Sequence, residues 1–343
     1  MKVVVLTTSY PRDENEVAGS FVAAAVEGVR AQGVDVAVVS PASFNDFGIA
    51  YRSGVAQNLR SAPWKLAFVP AFMAAYARAA RRAARGADLV HAHWIPSALA
   101  ARATGKPYVL QVWGTDVEVA RRLPALARPL VRGARLVVAA SSFLADEARA
   151  LGAREVRIVP PGVPVPTHVG EPSEPPHVLY VGRLSEEKGI LEFLEATEGL
   201  PRVIVGDGPL RDRVPEAVGF VPPSEVGAYY ERAAVVCVPS RREGYGMTAR
   251  EAMAYGRPVV ATRVGGLADL TAGVVLVAPG DAPALRRELK SLLDDAGSRQ
   301  RAGDDALALA RSEFSLEASA SALVAAYTAA VTAAVRTPKP KAT

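Results

Sequence analysis

Two glutamates, Glu243 and Glu251, flank the stretch of this chain whose residue types are best suited to chemistry. A short apolar run at 235–238 precedes them, and between them lie a glycine-bearing loop and the start of a predicted helix. The backbone N–H groups of such a loop and the positive end of the helix dipole favour phosphate. Carboxylates accept hydrogen bonds strongly, and sugar hydroxyls donate them. The stretch therefore has the chemical outline of a nucleotide-sugar site.

A loop earlier in the same half of the chain supplies positive charge. Arg183 lies where a predicted strand ends, and Lys188 follows five residues later. A guanidinium fork and an ammonium point charge beside a glycine-flanked loop can clamp a diphosphate. The alternative is that both are solvent-exposed charges near Glu186 and Glu187. The presence of the Glu243 loop in the same half favours the diphosphate.

Two further strand ends in this half can line a nucleoside pocket. Gly206 begins a Gly-x-Gly turn, and Phe220 follows a glycine at the end of another predicted strand. Glycines end strands in many proteins, so each signal is weak alone.

The first half offers three candidate positions. His91 and His93 end a predicted strand. Two imidazoles without a further ligand are only a weak zinc signal. His91 is therefore interpreted as a buried histidine, and His93, nearer the strand end, as a substrate contact. Gly19 either allows a close backbone approach to a ligand or only precedes a helix capped by Ser20. Asp116 either binds acceptor hydroxyls or caps the next helix. No metal site is predicted.

Length and composition indicate the number of domains and the cellular compartment. A length of 343 residues favours two domains. The single cysteine, Cys237, is expected to be a buried core residue, which excludes a disulfide framework and fits a reducing compartment. The apolar run 1–6 is too short for a signal peptide, and 66–77 is well short of the roughly 20 apolar residues that span a bilayer. We expect a cytoplasmic protein.

Charge is unevenly distributed. Residues 1–165 carry 20 Lys or Arg against 12 Asp or Glu, whereas residues 166–343 carry 20 against 23. A basic first half suggests an anionic partner, but stacking aromatics and motifs typical of nucleic-acid binding are lacking. A stripe of arginines behind an apolar segment can rest on an anionic membrane, or it is simply a solvated helix face. The arginines are Arg78, Arg81, Arg82 and Arg85, and the apolar residues are Trp64, Leu66, Phe68, Phe72 and Met73.

Apolar strand-like runs alternate with helical stretches in both halves, which predicts parallel sheets covered on both faces. A proline-rich segment at 159–176 separates the halves as a linker. We therefore predict two α/β domains, 1–165 and 166–315, with a ligand in the cleft between them. A helix at about 316–335 can pack back on the first domain, and 336–343 is expected to be a disordered tail.

These motifs together resemble those of the retaining glycosyltransferases of family 4, which have the GT-B fold of two Rossmann-like domains facing a central cleft. The most specific motif is Glu-x7-Glu, here Glu243 and Glu251. The stretches 182–189, 91–93 and 19–21 fall in the family's order, although the first loop has Gly-Ser where family members often have two glycines.

The resemblance implies a role for each position. Arg183 and Lys188 would hold the diphosphate, Glu251 the ribose, and Glu243 the donor sugar. His93 would lie near the reacting carbon. Further donor contacts would come from Gly19, Gly206, Phe220, Gly244, Tyr245, Gly246 and Met247.

The implied activity is transfer of a hexose from a UDP- or GDP-sugar to a hydroxyl acceptor that is lipid-linked, a glycan or a small molecule. It proceeds with retention and without a metal or other cofactor, because the two cations and the helix dipole stabilise the leaving phosphate. An epimerase or hydrolase of the same fold, or a non-catalytic nucleotide-sugar-binding protein, remains an alternative. The protein is expected in the cytoplasm, with possible attachment to the inner face of the plasma membrane.

Overall fold

The computed structural model describes residues 1–12, 19–50 and 55–335, and it divides into two compact units. Unit 1 comprises Met1–Pro161 together with Ser319–Thr343, and unit 2 comprises Gly162–Ala318. The predicted tail 336–343 lies outside the described residues.

Unit 1 is built on a parallel sheet whose strands, within the described residues, lie in the order β2-β1-β3-β4-β5-β6. The strands are β1 (Lys2–Leu6), β2 (Asp35–Val39), β3 (Leu89–His93), β4 (Tyr108–Val112), β5 (Leu136–Ala139) and β6 (Val156–Ile158). The helices are α1 (Ser20–Ala31), α2 (Val55–Ser61), α3 (Val69–Ala83), α4 (Ser97–Ala103), α5 (Thr115–Arg122), α6 (Pro124–Gly133) and α7 (Ser142–Ala150). Short 3-10 helices occupy Pro41–Ser43 and Pro63–Phe68.

Helices cover both faces of this sheet, which explains its continuous apolar strands. Successive residues of a strand point to opposite faces, yet all of Val3 to Leu6 are buried. On one face, α1 packs beside a helix contributed from the far end of the sequence, α13 (Leu316–Val335). From α13, the cluster on this face includes Ala320, Leu323, Ala326, Tyr327 and Ala330. Residues from 319 onward therefore complete the core of unit 1.

Unit 2 contains a second parallel sheet, with the order β11-β10-β9-β7-β8 among the described residues. Its strands are β7 (Val178–Val181), β8 (Arg202–Val205), β9 (Val235–Val238), β10 (Val259–Thr262) and β11 (Val274–Val277). Its helices are α8 (Ile190–Ala196), α9 (Pro223–Arg232), α10 (Met247–Ala254), α11 (Ala282–Asp294) and α12 (Ala296–Leu309), followed by a π-helical turn, Ala310–Phe314. Short 3-10 helices occupy Glu186–Lys188, Arg211–Arg213 and Gly265–Asp269.

Two predicted elements differ from the structure, and one observed strand was not predicted. The stretch 217–221 is not a strand; it forms only an isolated antiparallel bridge between Gly206 and Gly219, and two prolines start α9 immediately after it. The helix predicted at 64–85 is divided, because Pro70 favours a new helix start and α3 begins at Val69. Strand β6 was not predicted, since its three residues are only partly buried or exposed.

No helix within the described part of the chain has the length and apolar character needed to cross a membrane.

Candidate functional site

The loop between β9 and α10 is held in place by glycines at tight positions. Gly246 precedes α10 in a left-handed conformation, with φ of 89°, and a Cβ there would collide with the side chain of Leu267. Gly265, also left-handed, passes so close to the Glu243 carbonyl that a side chain would overlap it. The Glu243 carbonyl in turn accepts a hydrogen bond from the Gly266 N–H at 3.2 Å. Because only glycine fits these contacts at little cost, the loop has one well-defined shape.

The structure brings the two loops predicted to hold donor phosphate and sugar into direct contact. The Lys188 ammonium lies 2.6 Å from a Glu243 carboxylate oxygen, with the two side chains 32% and 15% exposed. The Ser240 hydroxyl lies 3.4 Å from the same oxygen. Gly189, with φ of 70°, approaches the Pro239 carbonyl so closely that a Cβ would overlap it. The two loops are therefore fixed to each other as well as paired through their charges.

A small cavity lies at this contact. The residues that line it come from β7, from β9, from the loops that follow these strands and from the start of α10: Tyr180, Val181, Gly182, Lys188, Cys237, Val238, Pro239, Ser240, Glu243 and Thr248. The cation, the carboxylate and the hydroxyls are concentrated at one place on the carboxyl side of the sheet, where ligands bind in open α/β folds. Burial raises the pKa of the Cys237 thiol, so this cysteine is an inert part of the lining.

Arg183 lies beside this cavity with an exposed side chain. Its backbone is fixed because the Tyr180 hydroxyl donates a hydrogen bond to the Arg183 carbonyl at 2.9 Å. A guanidinium on a fixed backbone can reach an anion entering from solvent.

Glu251 lies on α10, and its carboxylate is mostly buried. The Tyr230 hydroxyl donates a hydrogen bond to its Oε2 at 2.7 Å. Burial raises the pKa of Glu251, and the Tyr230 hydrogen bond opposes that rise by stabilising the charged form.

The predicted nucleoside-pocket residues lie at neighbouring strand ends. Gly206 has φ of 141° and approaches the Gly182 carbonyl so closely that any side chain would overlap it. Its N–H donates to the Gly219 carbonyl at 2.9 Å, and the adjacent Phe220 ring is 66% exposed. An exposed phenylalanine after a backbone-lined turn can stack on a base.

Arg250 was not predicted from the sequence, although it supports the same loop. This buried guanidinium donates hydrogen bonds to the carbonyls of Tyr245 and Gly266, the latter at 3.1 Å. It also lies over the Tyr245 ring, 3.8 Å from the centroid, and 4.9 Å from that of Phe314. The Tyr245 side chain is consequently buried, so this residue can contribute to a ligand only through its backbone. The sequence carries no signal for this role, because it depends on partners that meet Arg250 only in the folded protein.

In unit 1, the two histidines of β3 are fully buried. The His91 and His93 ring centroids are 4.3 Å apart, and His91 Nδ1 lies 2.7 Å from the Tyr327 hydroxyl of α13. The His93 ring stacks on Trp113, at 5.7 Å and 16°. Burial lowers the pKa of His91 to about 3 and that of His93 well below its ordinary value, so both rings are neutral at pH 7.

His93 does not reach the surface of unit 1, because its exposure is 1%. A contact with a substrate therefore requires a neighbouring side chain to move. Trp94, next in sequence, has φ of 65°, a left-handed backbone conformation that is uncommon for a bulky residue. The substrate contact of His93 stays a prediction.

Gly19 is the residue that precedes α1, with φ of 84°, and Ser20 is already the first helical residue. A Cβ on Gly19 would collide with the Ser9 carbonyl, so this position needs glycine. Ser20 as N-cap is therefore not observed. The residues directly before Gly19, at 13–18, lie outside the described part.

Asp116 uses both carboxylate oxygens for backbone contacts. Oδ1 accepts hydrogen bonds from the N–H groups of Trp113 and Gly114, at 3.0 and 3.1 Å, and Oδ2 from that of Ile95 at 3.0 Å. The carboxylate thus ties together the loops that follow β3 and β4. These contacts are structural, but they are not the predicted helix cap, because Gly114 is the N-cap of α5 and no side chain caps it. Acceptor binding by Asp116 stays a prediction. Burial raises the pKa of Asp116, and the backbone donors oppose that rise.

The described residues contain no group of three or more His, Cys, Asp or Glu side chains that could hold a metal ion.

Comparisons with known proteins define the class. A family profile described as Glycosyltransferase Family 4 matches residues 18–165, and a second, described as Glycosyl transferases group 1, matches residues 175–295. A 2-deoxystreptamine glucosyltransferase from Streptomyces kanamyceticus is 31% identical, over 61% of this chain and 69% of its own length. A putative teichuronic acid biosynthesis glycosyltransferase, TuaC, from Bacillus subtilis is 28% identical over 94% of this chain and 97% of its own.

Solved structures share the fold. Sucrose-phosphate synthase from Thermosynechococcus elongatus superimposes with a TM-score of 0.78 at 21% identity, covering 97% of this chain and 99% of that one. Anabaena HepE, solved in complex with UDP, gives 0.69 at 17% identity, covering 96% and 100%. The protein is thus a glycosyltransferase with the GT-B fold. It belongs to the family 4 glycosyltransferases, and the predicted family, fold class and enzyme class are confirmed.

Proposed function

We propose that this enzyme transfers a hexose from a UDP- or GDP-sugar to a hydroxyl acceptor with retention of configuration and without a metal. The observation that supports this most directly is the contact between Lys188 and Glu243 just before the start of α10. It puts a cation that can bind phosphate beside a carboxylate that can accept hydrogen bonds from sugar hydroxyls. Among proteins of this fold, Anabaena HepE has been solved with UDP-glucose bound, which supports a nucleotide-sugar donor.

The diphosphate would bind between Arg183 and Lys188, near the positive end of α10. Lys188 would then exchange its Glu243 partner for phosphate, and Glu243 would become available to the hydroxyls of the donor sugar. Charge that develops on the leaving phosphate as the bond to the anomeric carbon breaks would be stabilised by both cations. The phosphate oxygen would take the acceptor's proton while the acceptor oxygen bonds the anomeric carbon on the same face. Glu251 would hold the ribose hydroxyls.

The first experiment is isothermal titration against UDP, GDP, UDP-glucose, UDP-galactose, UDP-N-acetylglucosamine and GDP-mannose. We expect the protein to prefer one base, because the nucleoside site proposed at the Gly206 turn and Phe220 would present one set of backbone groups to the base edge. Binding of none of these ligands would refute the proposed donor class.

The role of Lys188 has a matched control within unit 2. Lys188→Ala should lower the rate of sugar transfer by at least about 100-fold, as expected on loss of one transition-state charge partner. Lys290→Ala removes an exposed lysine that pairs with Asp294 at 2.6 Å, and it should retain the wild-type rate. Equal rates for the Lys188 variant and wild type would contradict the assignment.

Product analysis separates the rival activities. Proton NMR of the product should show a new glycosidic bond of the donor's own anomeric configuration. An inverted product would refute retention, free sugar alone would indicate a hydrolase, and an epimerised nucleotide sugar would indicate an epimerase. Binding without turnover would indicate a non-catalytic protein.

We also propose that unit 1 rests on an anionic membrane surface, the inner face of the plasma membrane. Residues 55–135 contain thirteen Lys or Arg but only three Asp or Glu, at Asp88, Asp116 and Glu118. Within them α3 packs against α4 and α4 against α6, and none of these three helices contains a carboxylate. Beside this cationic layer, Trp64, Leu66 and Phe68 are 66%, 57% and 42% exposed. Phe72, by contrast, is a core residue and is not available to lipid.

Vesicle co-sedimentation tests this surface. Binding should require phosphatidylglycerol, weaken with salt, and decrease in an Arg78→Gln, Arg82→Gln, Arg85→Gln variant. A control that carries Arg287→Gln and Arg301→Gln on unit 2 should bind as wild type does. Equal partition onto neutral phosphatidylcholine vesicles would contradict the proposal.

A further inference from the structure

Tyr230 is a buried tyrosine of α9 that the proposed mechanism does not use. Its side chain is 2% exposed, and its hydroxyl is directed at Glu251 Oε2, 2.7 Å away. A phenol that donates to a carboxylate makes a charge-assisted hydrogen bond, which is stronger than a neutral one.

The position of Tyr230 is fixed from two sides. The buried guanidinium of Arg257 donates to the carbonyls of Tyr230 and Glu231, at 3.1 and 3.0 Å, and so holds the last turn of α9. The Tyr255 ring stacks on the Tyr230 ring, with centroids 5.7 Å apart and planes at 27°. A phenol held in this way cannot follow the carboxylate if it moves, so the carboxylate must adopt the conformation that meets the phenol.

We propose that Tyr230 is a positioning residue that determines how Glu251 recognises the ribose of the donor. This inference rests on the proposed function. With Oε2 engaged by the phenol, the other oxygen, Oε1, is the one that meets the vicinal hydroxyls. The phenol also favours the ionised carboxylate, which accepts hydrogen bonds from hydroxyls more strongly than the neutral acid. Selectivity for ribose over deoxyribose is therefore assigned to the pair and not to Glu251 alone.

If Tyr230 positions Glu251, its loss should change the ratio of affinities for the ribonucleotide and the deoxyribonucleotide, and not only the affinity for one of them. UDP and GDP should be titrated first, and the one that binds should then be compared with its 2′-deoxy counterpart. Wild type should prefer the ribonucleotide, and Tyr230→Phe should reduce that preference about three- to tenfold. This is less than the roughly 10- to 160-fold of a whole hydrogen bond to a charged group, because the Glu251 carboxylate itself remains. Tyr76→Phe, which removes one buried hydroxyl bonded to Ser97 at 3.3 Å in unit 1, is the matched control and should keep the wild-type ratio.

A pH profile provides a second readout. Among the described residues, the titratable groups that interact with Glu251 are Tyr230 of α9 and Tyr255 at the end of α10, and Thr248 bonds the Tyr230 hydroxyl. Since the phenol stabilises the charged carboxylate, its loss raises the pKa of Glu251 further. The acid limb of nucleotide affinity should then move to higher pH in Tyr230→Phe and stay in place in Tyr76→Phe. A purely structural role would not shift it.

A double-mutant cycle with Glu251→Gln keeps the inference testable if Tyr230→Phe also lowers stability. The effect of Tyr230→Phe on discrimination should largely vanish in the Glu251→Gln background, because the two residues act through one contact. An unchanged ratio in Tyr230→Phe, or an effect that persists in that background, would overturn the inference. Failure of wild type to bind either UDP or GDP would instead refute the proposed function, and this inference with it.

Discussion

Asp116 provides a sharp test of the structure, because its two possible roles predict different outcomes. Its carboxylate satisfies the backbone N–H groups of Trp113, Gly114 and Ile95; the hydrogen bond from Ile95 is buried and the other two are half-buried. An unsatisfied buried N–H costs about 1–3 kcal/mol. Asp116→Ala leaves three N–H groups without this partner, and the two half-buried ones can recover part of the loss by bonding water. We expect a loss of about 3–5 kcal/mol of unfolding free energy, within the range of severe single substitutions.

Asp116→Asn is the informative partner variant. The amide oxygen can still accept from Trp113 and Gly114, whereas the amide nitrogen cannot accept from the Ile95 N–H. The expected loss is therefore about one unsatisfied donor, roughly 1–3 kcal/mol.

Urea denaturation, with intrinsic fluorescence as the readout, measures both variants. Glu118→Ala, an exposed carboxylate on the same helix, is the control and should cost less than about 0.5 kcal/mol. A loss below 1 kcal/mol in Asp116→Ala, combined with a large rise in acceptor KM, would refute the structural interpretation and restore the acceptor role.

Two more predictions follow from tight or buried positions. Gly189→Ala should lower the unfolding free energy by at least about 2 kcal/mol and weaken nucleotide diphosphate binding, since the left-handed Gly189 backbone meets the Pro239 carbonyl. Gly199 is also left-handed but lies in open space, so Gly199→Ala is the control for backbone strain alone. Denaturation and nucleotide titration measure both variants. The buried histidines should make the protein sensitive to acid. In the unfolded chain they take up protons below about pH 6.5, whereas in the folded protein their pKa values are lowered and they stay neutral. The free energy of unfolding is therefore highest above about pH 6.5 and falls as the pH is lowered. Between pH 6.5 and 5, the unfolding free energy of wild type should fall by about 2 kcal/mol for each of His91 and His93. In denaturation measured across this pH range, His91→Gln should halve the dependence of unfolding free energy on pH. A dependence equal to that of wild type would refute neutral burial.

The parallel sheets were predictable because their strands are continuous apolar runs between helical stretches. Strands 108–112 and 235–238 were predicted with the observed boundaries, since both faces of each are buried and the two apolar runs are interrupted by a single polar residue, Gln111. Strand β6, at an edge and half exposed, carries no such pattern. Its place is determined by pairing with β5, which is a tertiary effect.

The candidate site was predictable where local backbone chemistry defines it, and not where distant residues meet. The glycine loop and the two cations could be found because their residue types and spacing are local. Tyr230 and Arg250 could not, because a buried tyrosine or arginine has no sequence signature until its partners are known. The burial of His93 was likewise hidden, since it depends on stacking against Trp113, which follows the next strand.

The composition of unit 1 has a consequence for biosynthesis. Its sheet is complete by residue 158, but Tyr327 and its neighbours on α13 cover the face formed by Val3 and Leu89. While the ribosome translates unit 2, α1 covers part of that face but the part that α13 will cover stays exposed, so nascent unit 1 presents apolar surface that chaperones can bind. Unit 2 has its whole sequence in one uninterrupted segment and can finish folding first. Synthesis order and folding order are therefore reversed, and a chain that stops before α13 should aggregate through its amino-terminal half.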